Sequence, residues 1–277
     1  MNLTERNTTI RLEILFASLI VIAAIPISIG ILPFYPSAVE HTNIRPEGLF
    51  QIIAAHIFQS SVYMPYISII FSIVYACIGL LCIYQYFEKT HSLEIFFFSF
   101  FLISFSFEIL RIVPVLMLQF ELEASILAFS FRILLFARYF GLFSLFIASV
   151  YASGWDSSRQ NPPIFIIVVA VLILVLYVPV DGMTWNKSLN AINGLKSVFS
   201  VVENGCILIT VSSFLIASYI RRERSFIQIG IGSLLLLWGR DIILNADTVI
   251  GPLVGSSTLI IGSWFFCTKL HKIYLWL

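Results

Sequence analysis

Long apolar runs alternate along the chain with short polar, proline-containing or glycine-containing breaks. Every backbone polar group inside a bilayer core of about 30 Å must be bonded within its own segment, so about 20 consecutive apolar residues predict one spanning helix. This criterion predicts eight spanning helices, near residues 12–34, 66–86, 93–120, 125–152, 164–180, 190–220, 226–248 and 253–271.

Prolines and glycines support the predicted breaks, because proline cannot continue a helix and glycine favours a turn. Pro33 and Pro36 end the first run, and Pro162 and Pro163 precede the fifth. Without a turn at the Gly251–Pro252 pair, the chain would need one helix of about 45 residues, well beyond a single crossing. We therefore predict eight transmembrane helices, with seven as the alternative.

Composition agrees with this pattern. Hydrophobic residues make up 59% of the chain and charged residues only 11%, against roughly 25% charged in a soluble protein. The sequence predicts an all-α polytopic membrane helix bundle that forms a single integral-membrane domain over residues 1–277, with no soluble domain. We expect the phenylalanine-rich run at 96–101 to face lipid.

The same composition argues against several classes of ligand. A net charge of +1 without a long basic run leaves nothing to neutralise a series of phosphates, so we expect no nucleic-acid partner. The cysteines lie in apolar runs without a CxxC pair, and the histidines are scattered, so we expect no metal and no cofactor. There is no HExxH, GxSxG or P-loop motif, and we expect no enzymatic activity and no catalytic residues.

Lysine and arginine are distributed unequally between alternate connections. Nine fall on one predicted side: Arg6, Arg11, Lys89, Arg159, Arg221, Arg222, Arg224, Lys269 and Lys272. Two, Arg45 and Lys187, fall on the other. Because positive charge is retained in the cytoplasm, this bias predicts that both termini are cytoplasmic in a cytoplasmic (inner) membrane.

One connection, from Tyr35 to Pro65, is long. Within it, residues 47–60 have apolar positions at helical spacing, which predicts an interfacial or re-entrant helix on the outer side. The alternatives are a covered loop and a lid over an outward-facing cavity.

Eight charged residues remain well inside the predicted spans, several residues from either end: Glu108, Arg111, Arg132, Arg138, Lys196, Glu203, Arg240 and Asp241. Each costs about 2.5–3.5 kcal/mol at the centre of a spanning helix, and seven of them, leaving out Lys196 because it can reach the surface, cost on the order of 20 kcal/mol. That penalty exceeds the net stability of most proteins. We therefore expect these groups to face one another or a hydrated cavity.

Their spacing indicates where they point. Glu108 and Arg111 are three residues apart and share one helix face, whereas Arg132 and Arg138 point about 120° apart. A polar stripe in the sixth span is expected to face inward; its members are Asn193, Ser197, Ser200 and Asn204, with Lys196 and Glu203 on an adjoining line. A similar stripe in the seventh span contains Asp241, Asn245 and Thr248.

Four buried arginines against three acids leave a positive charge uncompensated, because arginine does not lose its proton. The leading hypothesis is a protein that binds or transports a small anionic solute or lipid headgroup, with Arg138 and Arg240 as anion contacts and Glu108, Glu203 and Asp241 orienting them or carrying protons. The predicted ligand-binding residues are Glu108, Arg111, Arg132, Arg138, Glu203, Asn204, Arg240 and Asp241.

Two other functions fit the same residues. In a structural or accessory subunit of a membrane complex, the charges would be interhelical ties: Glu108 with Arg111, Glu203 with Arg138, and Asp241 with Arg240 or Arg132. In a receptor, the segment at 47–60 would respond to a ligand and act through a protein partner in the membrane. In every case the lipid bilayer is a partner.

Overall fold

The computed structural model describes residues 3–31, 61, 63–88, 90, 92–120, 123–154, 161–179, 184–186, 188–192 and 196–275. The interfacial helix predicted at 47–60 lies outside these residues. Within them the chain forms α1 (Leu3–Ile31), α2 (Met64–Phe87), α3 (Leu93–Ser104), a 3-10 segment (Phe105–Ile112), α4 (Val113–Phe120), α5 (Ala124–Ala152), α6 (Asn161–Leu176), α7 (Lys196–Arg221), α8 (Ser225–Leu244) and α9 (Ile250–Leu275). The predicted all-α polytopic bundle is confirmed.

Seven of the described helices are long and apolar enough to cross a membrane, and α3, the 3-10 segment and most of α4 together form one of them. Helix α6 has 16 residues, which gives about 24 Å of helix. It still connects opposite ends of the bundle. Arg221 at the end of α7 donates to the Tyr151 carbonyl near the end of α5 (3.3 Å), whereas Ser188, beyond α6, donates to the Asn245 carbonyl at the end of α8 (3.2 Å). The arrangement agrees with a multi-pass protein of seven long helices and one short crossing.

These contacts define two ends of the bundle. The basic end is where α2, α5 and α7 finish; its described cationic residues are Arg6, Arg11, Arg221, Arg222, Arg224, Lys269 and Lys272. The hairpin end is where α6 and α8 finish. It takes its name from residues 184–192, in which Thr184–Trp185 (β1) pairs antiparallel with Ala191–Ile192 (β2).

The hairpin corrects the predicted start of the sixth span at residue 190, because α7 begins at Lys196. The Asn186 Oδ1 atom accepts the backbone N–H groups of Ser188 (3.1 Å) and Asn190 (2.8 Å), as asparagine side chains do in tight turns. Leu189 adopts φ +57°, a conformation that is rare without glycine. The turn therefore folds back on itself before α7 begins.

The apolar core lies where α3 packs on α5. Phe97, Phe98 and Phe101 are buried, so the expectation that the 96–101 run faces lipid is wrong. The Phe97 ring stacks on Tyr151 of α5, with ring centroids 5.5 Å apart. The two helices are close because Gly141 has no side chain: a Cβ atom there would lie 2.3 Å from the Ser104 Oγ.

Arg6 ties α1 to the end of α2 at the basic end. Its guanidinium donates to the carbonyls of Phe87 (2.7 Å), Glu88 (3.1 Å) and Thr90. The last carbonyls of a helix have no partner within the helix and form its negative pole. A buried arginine can donate to several such carbonyls at once, so Arg6 of α1 acts as a C-terminal cap for α2.

Candidate functional site

A bidentate ion pair lies at the centre of the bundle. The Arg138 Nε atom donates to Glu108 Oε1 (2.8 Å), and one of its terminal nitrogens donates to Oε2 (2.6 Å). Arg138 is the middle residue of α5, about 21 Å from either helix end, and Glu108 is only 2% exposed. Two parallel charge-assisted bonds are the strongest way to join these groups, and they hold α5 to the third span.

Arg111 approaches the same carboxylate from the other side. Its terminal nitrogen lies 3.6 Å from Glu108 Oε2, and its side chain is fully buried. Both residues belong to the 3-10 segment, in which side chains three residues apart eclipse one another. The local pairing expected from their spacing is confirmed, while the stronger partner of Glu108 is Arg138.

The hairpin turn supplies two neutral acceptors of these arginines, and the Ser68 hydroxyl of α2 is a third, 3.4 Å from Arg111. Asn190 Oδ1 accepts from Arg138 (2.9 Å), and the Ser188 carbonyl accepts from Arg111. The Asn190 amide in turn donates to the Leu244 carbonyl at the end of α8 (2.5 Å). Non-helical backbone can lie at this depth when it is buried in protein and its polar groups are bonded. The turn therefore covers the charged residues on the side that faces the hairpin end.

Arg240 completes what we call the charged cluster, which comprises Glu108, Arg111, Arg138 and Arg240. It is buried and donates to the Arg138 carbonyl (3.2 Å). Glu203 of α7 interacts electrostatically with Arg138 and contacts Tyr139, so it lies beside the cluster without a direct ion pair. Three arginines thus surround one fully enclosed carboxylate, with a second acid at the edge.

The structure does not bring every predicted site residue into this cluster. Asp241 is exposed on α8, where its Oδ1 accepts from Asn245 (3.0 Å). Asn204 is exposed on α7 and donates to the Ser200 carbonyl (2.8 Å), so the predicted inward stripe faces outward at this position. Arg132 lines a separate pocket between α5 and α6.

Four further polar groups were not among the predicted site residues. Asn190 and Ser188 accept hydrogen bonds from the arginines of the cluster, and the concentration of asparagine and glycine around 182–194 is the sequence signal for their turn. Glu13 is buried in α1 beside Ser99 of α3, with no ion-pair partner among the described residues. Glu94 accepts from Tyr274 (2.6 Å) and so ties α3 to α9. Glu13 and Glu94 each lie one residue inside the end of a predicted span. Hydropathy does not show whether the end of such a helix is buried in the protein or exposed.

No protein-family model matches this chain, and neither does any curated protein or solved structure. Within the part of the chain that the structure describes, no group of three or more histidine, cysteine, aspartate or glutamate side chains is placed to hold a metal ion. The residues present form clustered guanidinium groups around a carboxylate, an arrangement that suits recognition of an anion or a rigid tie between helices.

Proposed function

We propose that this membrane protein binds or transports a small anion at the charged cluster, without catalysing a reaction, and that a lipid headgroup is an alternative form of the same ligand. The observation that carries the proposal is the excess of positive charge. Arg111, Arg138 and Arg240 are accompanied by Glu108 inside the cluster and Glu203 at its edge. One positive charge is left over, and arginine cannot shed it.

Unused donors in the cluster support the proposal. The Arg111 Nε is buried and has no hydrogen-bond partner among the described residues, and the hydrogen bond found for Arg240 uses one of its five N–H groups. The remaining compensation comes from Asn190, Ser188 and the Ser68 hydroxyl, whose oxygens carry no formal charge. An anion with two or three oxygens bonds more strongly to guanidinium groups than neutral oxygens do. Such a ligand would take the place of the hairpin oxygens.

Thermal melts of the detergent-solubilised protein test the proposal, with sodium phosphate, acetate and chloride as probes at constant ionic strength. We expect one oxyanion to raise the melting temperature of the wild type, because a ligand that binds the folded state stabilises it. Arg240→Gln should abolish that rise. Arg224→Gln removes the same charge from the exposed basic end and should leave the rise unchanged. Equal behaviour of all proteins in all three salts would contradict the proposal.

One observation favours a structural role instead. The Glu108–Arg138 pair is bidentate and buried and has a further partner in Asn190, which is the geometry of a permanent interhelical tie. A subunit of a larger membrane complex would need such ties and no ligand. The absence of any anion effect, together with copurification of a stoichiometric membrane partner, would favour this role.

We further propose that the basic end faces the cytoplasm of an inner membrane, since seven described cationic residues gather there. A cysteine introduced at Arg224 in a chain without its four natural cysteines should react with membrane-impermeant maleimide only after the cells are opened. Labelling of intact cells would reverse the orientation.

A further inference from the structure

A pocket of about 280 Å³ lies between α5 and α6, apart from the charged cluster. Its walls are mostly apolar and include Phe129 and Phe136 from α5 and Leu172 and Leu176 from α6. Phe129, Leu172 and Leu176 are exposed on the outer surface of the bundle, so the pocket opens toward lipid. Arg132 is its charged residue.

Arg132 has no partner among the described residues. Its Nε atom is buried and makes no hydrogen bond, and no acidic side chain there forms an ion pair with it. Helix α6 has no polar side chain from Ile164 to Leu176 that could approach it. A charged residue within a membrane is rare unless a partner compensates it, so the compensating group must come from outside the described part of the chain.

The depth of Arg132 brings lipid phosphates within reach of its side chain. Helix α5 has 29 residues and is about 43 Å long, so it extends about 7 Å beyond each side of a 30 Å hydrocarbon core when centred. The Arg132 Cα lies about 12 Å from the hairpin end of α5, or about 5 Å below the core surface. Side chains on a helix lean toward its N-terminus, and the N-terminus of α5 is at the hairpin end. The guanidinium therefore reaches the level of lipid phosphates.

We propose that this pocket is a binding site for an anionic phospholipid from the hairpin-end leaflet. The phosphate accepts hydrogen bonds from the Arg132 guanidinium, whose planar fork matches phosphate geometry. The first part of one acyl chain lies against Phe136 and Leu172. The site is independent of the anion proposed for the charged cluster, because no hydrogen bond or ion pair joins Arg132 to a cluster residue.

Retention of lipid measured by native mass spectrometry tests this site. The protein is purified, exchanged into a mixture of phosphatidylcholine and phosphatidylglycerol, and released from mild detergent. Arg132→Gln removes the charge. Leu172→Trp keeps the arginine but fills the pocket, so it tests the site even if the first variant folds poorly. Arg224→Gln is the matched control, since it removes one arginine charge at the opposite end.

We expect the wild type and Arg224→Gln to retain one phosphatidylglycerol molecule. Arg132→Gln and Leu172→Trp should each lower its occupancy by about tenfold, the effect of losing a charge-assisted contact or its adjoining apolar surface. The proposal is overturned if phosphatidylcholine is retained equally well, or if both variants hold phosphatidylglycerol as the wild type does. It is also overturned if millimolar inorganic phosphate displaces the lipid, because a free phosphate would then suffice.

Discussion

Arg138 and Arg132 lie on the same helix, six residues apart, in opposite circumstances. Arg138 makes three hydrogen bonds, to Glu108 and Asn190, whereas Arg132 makes none within the described residues. They point about 120° apart, so each faces a different neighbour. Arg138 faces the 3-10 segment and the hairpin, which supply oxygen atoms, and Arg132 faces α6, which is wholly apolar along its contact. Whether an intramembrane arginine joins helices (a tie) or is left to bind an outside ligand (a docking point) therefore depends on whether the element that it faces supplies oxygen atoms.

The largest expected difference comes from replacing each arginine in turn. Arg138→Gln removes one partner of a buried ion pair and should lower the free energy of unfolding by about 3–5 kcal/mol. Arg132→Gln should change it by about 0.5 kcal/mol or less in neutral detergent, because no hydrogen bond or ion pair with the described residues is lost. Unfolding of the two proteins by heat or denaturant in the same detergent measures this contrast.

A double variant shows whether Arg111 still compensates the carboxylate that Arg138→Gln leaves behind. Adding Glu108→Gln to Arg138→Gln removes the remaining buried partner of Arg111 and should lower the stability further. Equal stability losses in Arg138→Gln and Arg132→Gln would contradict the distinction between a tie and a docking point.

A smaller effect is expected from Asn190→Ala, which leaves the ion pair but frees the hairpin turn. It removes the bonds to Arg138 and to the Leu244 carbonyl and should lower stability by about 1–3 kcal/mol. Hydrogen exchange of residues 188–192 should accelerate. Asn204→Ala is the control, because Asn204 bonds only within its own helix at an exposed position. Unchanged exchange in Asn190→Ala would mean that the turn is held without the cluster.

The smallest effect is expected at an exposed acid, which contrasts with the two arginines inside the bundle. Glu223, between α7 and α8, accepts from the hydroxyl (2.6 Å) and the backbone N–H (3.3 Å) of Ser225, and these bonds hold the pKa of its carboxyl below the ordinary value of 4.5. A lowered pKa in the folded state stabilises the protein above 4.5, and the contribution is lost as pH falls through the lowered pKa.

Glu223→Gln should therefore melt slightly below the wild type at neutral pH and together with it in acid. Thermal melts of both proteins between neutral and acidic pH measure this. A difference that grows as the pH falls would show that Ser225 does not favour the charged carboxylate.

The spanning helices could be predicted because a membrane imposes one rule on all of them: about 20 apolar residues for each crossing. The Glu108–Arg111 pairing could also be predicted, since the two residues are three positions apart in one helical segment. The bond from Glu108 to Arg138 could not, because it joins two helices whose relative rotation depends on packing such as the Gly141–Ser104 contact.

The hairpin was missed for a different reason. Its polar residues suggest an exposed loop or the start of a helix, and hydropathy says nothing about the partner that a polar group will find. Asn190 and Ser188 can be buried because buried arginines donate hydrogen bonds to their oxygen atoms. A polar segment and a charged residue that each look unfavourable inside the bundle are stable together.

The 3-10 segment has a consequence for the reach of the third span. Its eight residues extend about 16 Å, whereas the same residues as α-helix would extend about 12 Å. Converting the segment to α-helix would shorten the span by about 4 Å and turn Glu108 and Arg111 about 60° out of line with each other. The length of the third span and the alignment of its two charged side chains are therefore linked. The span keeps its full length only while Glu108 and Arg111 stay aligned in the 3-10 conformation.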